Sequence, residues 1–290
     1  MLKTIVLILT ENYKNILDES GELASFIREM KKHGAEVEVS GKSDIKLNPY
    51  SAQLSDCGCG TLFFSDDADI LSKLQVQGYY TVAVYHEGVS GLLSGTQYAL
   101  EGLSDTDWEY LYKVYQRFVG EPWSITETAR CTIREICEAD VDELYELYNS
   151  PNVTRYMEGL SSEKKQEAEY IKDYIENAYK YYGFGTWLIH RKEDGKLIGR
   201  AGFNYRPGYE EAELGFIIGE NFWRQGYAYE VCSHLMLLAD RVYELEQVQA
   251  LVKKENTASV GLLRKLGFSY MEEVELDGES YQRYLAKLAL

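Results

Sequence analysis

The strongest chemical signal in the chain is an apolar, strand-like run followed by a glycine-containing loop and a helix. The run covers 214–218, and the loop brings Arg224, Gln225 and Gly226 to a helix that opens at Tyr227. Backbone N–H groups in the first turn of a helix lack internal acceptors, and the helix dipole favours negative charge there. Glycine also permits dihedral angles closed to other residues, so a ligand can approach the backbone closely. The pattern predicts a phosphate-binding loop, and its alternative is a helix start without a ligand.

Two segments of the sequence support the prediction of a phosphate-binding loop. Residues 212–230 resemble the acetyl-CoA pyrophosphate loop of the GNAT acetyltransferase superfamily, and residues 256–268 resemble the helix that flanks the pantetheine arm in that family. The first block is most similar to the ribosomal-protein N-terminal acetyltransferase branch. In that branch a tryptophan, a basic or polar pair, a glycine, an aromatic residue and a small residue follow in that order. Two ordered blocks are more specific than one glycine loop.

The resemblance extends over 129–288. It implies an N-acetyltransferase that uses acetyl-CoA as co-substrate and transfers the acetyl group directly to an amine. The acceptor is expected to be a protein N-terminus or a small amine.

The resemblance also assigns residues to the cofactor. Backbone N–H groups of 224–229 would hold the phosphates, and Arg224 would add a charge-assisted hydrogen bond. The backbone of 216–218 would pair with the pantetheine amides like an added β-strand, and a splayed strand there would leave an N–H group to polarise the thioester carbonyl. Asn256 would bond the cofactor arm or cap its own helix, and the two roles can coexist. The predicted cofactor-binding residues are Phe216, Ile217, Ile218, Arg224, Gln225, Gly226, Tyr227, Ala228, Tyr229 and Asn256.

Two side chains are candidates for proton transfer. Glu213 precedes the cofactor-contacting run, and a partly buried carboxylate can accept the amine proton directly or through water. Its alternative is an ordinary strand glutamate paired with a lysine or arginine. Many members of the family place a tyrosine where Leu263 stands, as a general acid for the leaving thiolate, and leucine cannot donate a proton. Ser259, one helical turn earlier, is the candidate acid, and close helix packing is the alternative for it.

Composition limits the partners. The 290 residues carry a formal net charge of −17, with a pI of about 4.8. Nucleic-acid binding needs clustered Lys and Arg, so it is not expected as the main role, whereas a cationic acceptor is permitted.

No apolar run approaches the ~20 residues of a membrane helix and no secretion signal is recognisable, so we expect a cytoplasmic protein without a membrane partner. The five cysteines form no disulfide framework. Cys57 and Cys59 lack two further ligands, so no metal site is expected.

Apolar patterning predicts an α/β protein of two domains. Residues 1–122 alternate strand-like and helix-like stretches, which indicates a smaller α/β domain with a parallel sheet. Pro122 blocks helix continuation and the polar residues after it suit a connector, so 123–128 is predicted to be a linker. Residues 129–290 follow the element order of the GNAT fold, whose mixed, mostly antiparallel sheet is flanked by helices.

Part of the first domain, 61–85, resembles a haloacid-dehalogenase-type hydrolase domain. That family needs an Asp-x-Asp pair after its first strand, where this chain has Thr10 and Glu11. Asp66 and Asp67 follow a later strand, and we interpret them as solvated turn residues or a helix cap. The expected role of this domain is therefore structural, regulatory or substrate-shaping.

Aromatic residues are candidates for the acceptor groove. They cluster at 179–187 and 205–209, with core and loop packing as the alternative for any one of the 25 tyrosines. The absence of a tyrosine at Leu263 also leaves a second function open, which is a non-catalytic module that senses acyl-CoA.

Overall fold

The chain folds into two compact units. A computed structural model describes residues 1–41, 60–89, 93, 95–104 and 106–288. The units are Met1–Glu121 and Pro122–Leu290. Cys57 and Cys59 lie outside the described residues. No helix in the described part of the chain is long and apolar enough to cross a membrane.

The first unit is built on a parallel sheet. Its described elements are β1 (Thr4–Leu9), α1 (Glu11–Ser20), α2 (Glu22–Lys32), β2 (Glu36–Gly41), β3 (Thr61–Ser65), α3 (Ala68–Val76), β4 (Thr81–Tyr85), β5 (Ala99–Glu101) and α4 (Trp108–Val119). These five strands pair in the order β2-β1-β3-β4-β5, and every pairing is parallel. The prediction of a parallel sheet is confirmed.

The central strands of this sheet are apolar along almost their whole length. The side chains from Ile5 to Leu9 in β1 are all buried, as are all five side chains of β3. A strand in a parallel sheet is covered on both faces, so it needs a continuous apolar run and not an alternating one. The sequences of β1 and β3 therefore suit the centre of the sheet.

The two aspartates after β3 have structural contacts. Asp67 caps α3, because its side chain accepts hydrogen bonds from two backbone N–H groups of the first helical turn. Asp66 is buried and accepts hydrogen bonds from the backbone N–H of Thr10 at 2.8 Å and from its hydroxyl at 2.5 Å. His86 Nε2 lies 3.1 Å from the same carboxylate. The helix-cap prediction is confirmed for Asp67, whereas Asp66 is not a solvated turn residue, because it joins the ends of β1, β3 and β4.

The second unit contains a mixed sheet with helices. Its elements are β6 (Ser124–Glu127), β7 (Cys131–Arg134), α5 (Val141–Tyr148), α6 (Lys164–Tyr174), α7 (Lys180–Tyr182), β8 (Thr186–Arg191), β9 (Leu197–Tyr205), β10 (Ala212–Ile218), α8 (Tyr227–Arg241), β11 (Gln247–Val252), α9 (Thr257–Lys265), β12 (Ser269–Leu276) and β13 (Glu279–Lys287). Within the described residues the strand order is β12-β13-β11-β10-β9-β8-β7-β6, and every pairing except β10–β11 is antiparallel. This architecture confirms the predicted mixed, mostly antiparallel sheet.

Strand β6 occupies the segment that we predicted to be a linker. It pairs with β7, and Thr126 Oγ1 lies 2.7 Å from His234 Nε2 on α8. The four residues of β6 are too few to show an alternating pattern, so the sequence gives no strand signal there. The neighbouring strand decides the conformation, as is common for edge strands. Most of the predicted linker, Ser124–Glu127, therefore belongs to the sheet of the second unit.

The helical segment from Lys164 to Tyr182 is interrupted. After α6, a π-helical turn covers Ile175–Tyr179 and leads into α7. Tyr179 is buried, its hydroxyl donates to the carbonyl of Thr186 at 2.5 Å, and it accepts from the N–H of Ile136 at 3.2 Å. A π turn changes which side chains of a helix face inward, and here it places the Tyr179 hydroxyl among buried backbone groups that need a partner.

Candidate active site

The candidate site lies where two neighbouring strands separate. β10 and β11 run parallel but pair only at their beginnings, at Ala212 with Val248 and at Glu213 with Gln249, in the described part of the chain. On its other side, β10 pairs with β9 along the whole length of β10. Residues 214–218 therefore have an open backbone edge on the side of β11, and such an edge can bond an extended ligand as an added strand.

Strand alternation decides which backbone groups face this opening. The N–H of Gly219, directly after β10, donates to the carbonyl of Ile198 in β9 at 2.8 Å, which fixes the hydrogen-bonding phase of the antiparallel pair. Because bonded and non-bonded positions alternate, Ile217 bonds to β9 and the backbone groups of Phe216 and Ile218 face the opening. The predicted backbone contact of Ile217 with the cofactor is therefore not available, although its side chain remains at the site.

The loop after β10 presents a row of backbone donors. A 3₁₀ turn at Glu220–Phe222 leads to Arg224, with φ 57°, and Gly226, with φ 86°. Residues in the left-handed region turn successive N–H groups towards one side and form an anion-binding concavity. None of the backbone N–H groups from 224 to 229 donates to a described residue, and the first helical bond of α8 runs from Glu230 to the carbonyl of Gly226 at 3.0 Å. This geometry fits the phosphate site that the sequence predicts.

A cavity of about 870 Å³ collects these elements. Its size lies within the range of about 300–1,000 Å³ that is typical of ligand sites. Every predicted site residue except Gln225 lines it, namely Glu213, Phe216, Ile217, Ile218, Arg224, Gly226, Tyr227, Ala228, Tyr229, Asn256 and Ser259. The Gln225 side chain instead donates to the carbonyl of Asn221 at 2.9 Å. Trp223 also lines the cavity, and its Nε1 donates to the carbonyl of Ile218 at 2.6 Å, which occupies one acceptor site at the end of the open edge.

Glu213 lies at the point where the strands separate, and it is paired. Arg206 Nε donates to Glu213 Oε2 at 2.6 Å and Nη2 donates to Oε1 at 3.4 Å. The Glu213 side chain is 17% exposed and that of Arg206 is 41% exposed. The hydrogen bonds that Arg206 donates to Glu213 raise the pKa of the Arg206 guanidinium. The alternative that the sequence left open, a strand glutamate paired with a cation, is therefore present, but the pair lines the cavity and not a remote surface.

The start of α9 contributes to the opposite wall of the cavity. Asn256 caps α9, since its side chain accepts from the N–H of Ser259 at 3.2 Å. Both residues line the cavity, as does Thr257, and the Ser259 hydroxyl makes no hydrogen bond to a described residue. Leu263 is 1% exposed and also lines the cavity. This wall therefore offers two hydroxyls and one amide to a ligand, with an apolar side chain at the position where many members of the resembled family carry a tyrosine.

Residues 150–158, which we call the cover segment, were not predicted to belong to the site. The cover segment is tied to one wall because Ser150 and Asn152 donate to the carboxylate of Glu220, the latter at 2.8 Å. It is tied to the other wall because the Tyr156 hydroxyl donates to the carbonyl of Glu255 at 3.3 Å. The further members that line the cavity are Val153, Arg155, Met157 and Glu158. The segment has no helical or strand periodicity, so nothing local in the sequence reveals its position.

The aromatic residues of the predicted groove do not line the cavity. Tyr179 and Trp187 belong to the main hydrophobic cluster of the second unit, whereas Tyr181, Tyr182 and Tyr205 are exposed. Within the two aromatic stretches, Arg206 lines the cavity and the aromatic residues do not.

Two tyrosines approach the cavity from outside the predicted residues, namely Tyr156 and Tyr281. The sequence could not separate them from the other tyrosines, because their approach to the cavity depends on how distant segments pack.

Comparison with known proteins identifies the family. A family profile described as "Acetyltransferase (GNAT) domain" matches residues 130–269. The chain is 30% identical over 145 residues to the uncharacterised N-acetyltransferase YoaA of Bacillus subtilis strain 168, and the match covers 50% of this chain and 82% of that protein. The chain therefore belongs to the GNAT acetyltransferase family of N-acetyltransferases.

Solved structures share the fold. A GNAT-family acetyltransferase from Bordetella pertussis is 21% identical with a TM-score of 0.50, and the match covers 56% of this chain and 99% of that chain. The ribosomal-protein-S5-alanine acetyltransferase from Vibrio fischeri is 14% identical with a TM-score of 0.50, covering 56% and 95% of the two chains. At these identities the similarity concerns the fold, which agrees with the mixed sheet of the second unit.

The family match does not extend to the first unit. The family match begins at residue 130, and the resemblance of 61–85 to haloacid dehalogenases is not supported by the comparisons. The buried contacts of Asp66 also give that residue a structural explanation. Among the described residues, no group of three or more His, Cys, Asp or Glu side chains is placed to hold a metal ion.

Proposed function

We propose that the protein is an acetyl-CoA-dependent N-acetyltransferase that moves an acetyl group directly to a primary amine, at a protein N-terminus or on a small molecule. The observation that carries the proposal is the continuity of the open β10 edge with the unpaired N–H groups of 224–229 in one cavity. Family membership supports it, because GNAT enzymes use acetyl-CoA.

The proposed binding roles divide along the cavity. The N–H groups of 224–229 would hold the diphosphate of acetyl-CoA, since they are unpaired donors at a helix N-terminus. Arg224, which forms no ion pair with a described carboxylate, would add a charge-assisted hydrogen bond. Phe216 and Ile218 would bond the pantetheine arm through the open strand edge, and Asn256 would bond it from the opposite wall.

The proposed reaction forms a C–N bond as the C–S bond of the thioester breaks. The acceptor amine would attack as the free base and release its proton to Glu213, directly or through water. An N–H group on the open edge of β10 would polarise the carbonyl oxygen. The leaving thiolate would take a proton, for which the Ser259 hydroxyl is the candidate donor. The atoms balance without a covalent enzyme intermediate or a further co-reactant.

One observation favours a second candidate function, a non-catalytic module that senses acyl-CoA. Leu263 gives the cavity a buried apolar side chain where related enzymes carry a proton donor. A sensor needs the cofactor-binding part of the site and does not need the proton-transfer residues.

The experiment that separates the two functions is an assay of thiol release from acetyl-CoA by the full chain. The acceptor panel consists of N-terminal peptides, polyamines and aminoglycosides, and mass spectrometry identifies the acetylated product. We expect turnover with at least one class of amine. Binding of acetyl-CoA in the absence of turnover across the whole panel would favour the sensor.

A further inference from the structure

Arg130, directly before β7, is tied to the first turn of α8. Its Nε donates to Glu230 Oε2 at 2.6 Å, and its Nη1 donates to the carbonyl of Gln225 at 3.0 Å. The backbone N–H of Arg130 and the hydroxyl of Thr128 both donate to Glu230 Oε1, at 2.8 Å and 2.7 Å. The guanidinium also lies 4.1 Å from the centre of the Tyr227 ring. One arginine therefore holds both the loop carbonyl and the helix that follows it.

The bond to the Gln225 carbonyl determines where α8 begins. In a continuing helix this carbonyl would accept the N–H of Tyr229, four residues later. In this structure the first such bond is donated by Glu230, and the N–H of Tyr229 has no acceptor among the described residues. Because Arg130 engages the Gln225 carbonyl from outside the helix, it favours the geometry in which the Tyr229 N–H stays available.

The same bond orients the peptide between Gln225 and Gly226. The carbonyl and the N–H of a trans peptide point in opposite directions, and the chain has no cis peptide bond among its described residues. With the Gln225 carbonyl directed at Arg130, the N–H of Gly226 is directed away from it. The φ of 86° at Gly226 allows this orientation.

Arg130 also neutralises the Glu230 carboxylate, which lies close to the proposed phosphate site. Glu230 lies in the first turn of α8, where its negative charge would repel a phosphate. Partial burial raises the pKa of Glu230, but the hydrogen bonds from Thr128 and Arg130 outweigh this effect and the pKa is lowered. Glu230 is therefore ionised at neutral pH, and Arg130 supplies the opposite charge at hydrogen-bond distance.

We infer that Arg130 is a positioning residue for the diphosphate of acyl-CoA, which it serves by fixing the Gln225 carbonyl and by neutralising Glu230. The inference rests on the proposed function. In this role Arg130 acts through the backbone of 225–229, so its effect is confined to ligands that carry phosphate groups.

The test compares two acetyl donors, acetyl-CoA and S-acetylpantetheine, which has the same thioester and arm without the phosphates. For Arg130→Met we expect kcat/KM with acetyl-CoA to fall about 10- to 100-fold, mainly through KM, because hydrogen bonds to charged groups contribute roughly 1.5–3 kcal/mol. With S-acetylpantetheine we expect no change. Arg130→Lys should recover part of the loss, since an ammonium can donate either to the Glu230 carboxylate or to the Gln225 carbonyl but not to both in the geometry of the guanidinium. Arg241→Met, in the last turn of α8, is the matched control.

Each outcome decides the inference. An equal loss with both donors would give Arg130 a general structural role and overturn it, and so would full activity of Arg130→Met with acetyl-CoA. Dissociation constants of CoA and pantetheine are measured in parallel. If the wild-type chain binds CoA without turnover, the proposed function fails while these constants still decide the role of Arg130. If Arg130→Met does not fold, the same comparison is made with Arg130→Lys.

Discussion

At the scale of single residues, Glu213 combines two properties that the sequence offered as alternatives. It is bonded to Arg206, and it lines the cavity at the point where β10 and β11 separate. An amine that enters the cavity would meet this pair and not an isolated carboxylate. The proposed proton transfer and the observed ion pair therefore share one location, and substitutions can separate them.

Glu213→Gln is expected to lower kcat about 100-fold or more at neutral pH with little change in KM for acetyl-CoA. General base catalysis typically contributes a factor of about 10² to 10⁴, and the amide keeps the shape of the side chain without accepting a proton. Initial rates of thiol release measure the effect. Glu210→Gln, at an exposed glutamate of the preceding loop, is the control. An unchanged kcat in Glu213→Gln would exclude Glu213 as the base.

Arg206→Met is expected to lower kcat about 10-fold, because the Glu213 carboxylate loses both hydrogen bonds that hold it at the point where β10 and β11 separate. Hydrogen bonds to charged groups contribute roughly 1.5–3 kcal/mol. Initial rates of thiol release measure the effect, with Glu210→Gln again as the control. An unchanged kcat in Arg206→Met would show that the reaction does not depend on this pair.

At the scale of elements, the separation of β10 from β11 creates the site. The strands share two register pairs and then diverge, while α8 begins at the end of one strand and α9 follows the other. The N-termini of both helices line the opening, and Asn256 fixes the start of α9. The cap has a structural contribution that can be measured separately from any contact with the cofactor.

Asn256→Ala is expected to destabilise the start of α9 by about 1 kcal/mol, because the Ser259 N–H loses its acceptor. Amide hydrogen exchange in the peptide 257–265 should become about fivefold faster. Asn256→Ser, which keeps a capping oxygen, should restore the exchange rate but not the KM for acetyl-CoA if the amide bonds the cofactor arm. Recovery of both by serine would assign Asn256 to capping alone.

At the scale of the whole molecule, each unit contains its own core. The main apolar cluster of the first unit lies within residues 2–119, and that of the second lies within 125–288. The cavity is lined entirely by residues 152–281. The second unit therefore holds both a hydrophobic core and every residue of the proposed site.

A fragment of residues 122–290 is expected to fold and to bind acetyl-CoA with the Kd of the full chain. The reason is that a domain with its own hydrophobic core can fold independently. Circular dichroism and calorimetric titration measure the two properties, with the full chain as the reference. A folded fragment with much weaker binding would show that residues 1–121 contribute to the site.

Much of the fold, and the loop and helix starts of the proposed cofactor site, could be predicted from sequence, because those features are local. Apolar runs in β1 and β3 indicate a parallel sheet, and Gly226 and Asn256 mark helix starts through dihedral freedom and capping. The short strand β6 and the π turn at Ile175–Tyr179 were missed, since neighbouring elements decide both conformations.

The sequence by itself determined the GNAT family and the α/β fold with its parallel and mostly antiparallel sheets. It also predicts the proposed phosphate-binding loop, since a helix N-terminus binds anions through its own backbone. Only the tertiary structure decided that Arg206 pairs with Glu213, that Arg130 holds Gln225 from a distant segment, and that the cover segment joins both walls. These contacts join residues from different elements. Their distances depend on how the strands and helices pack, which no local pattern of residue types encodes.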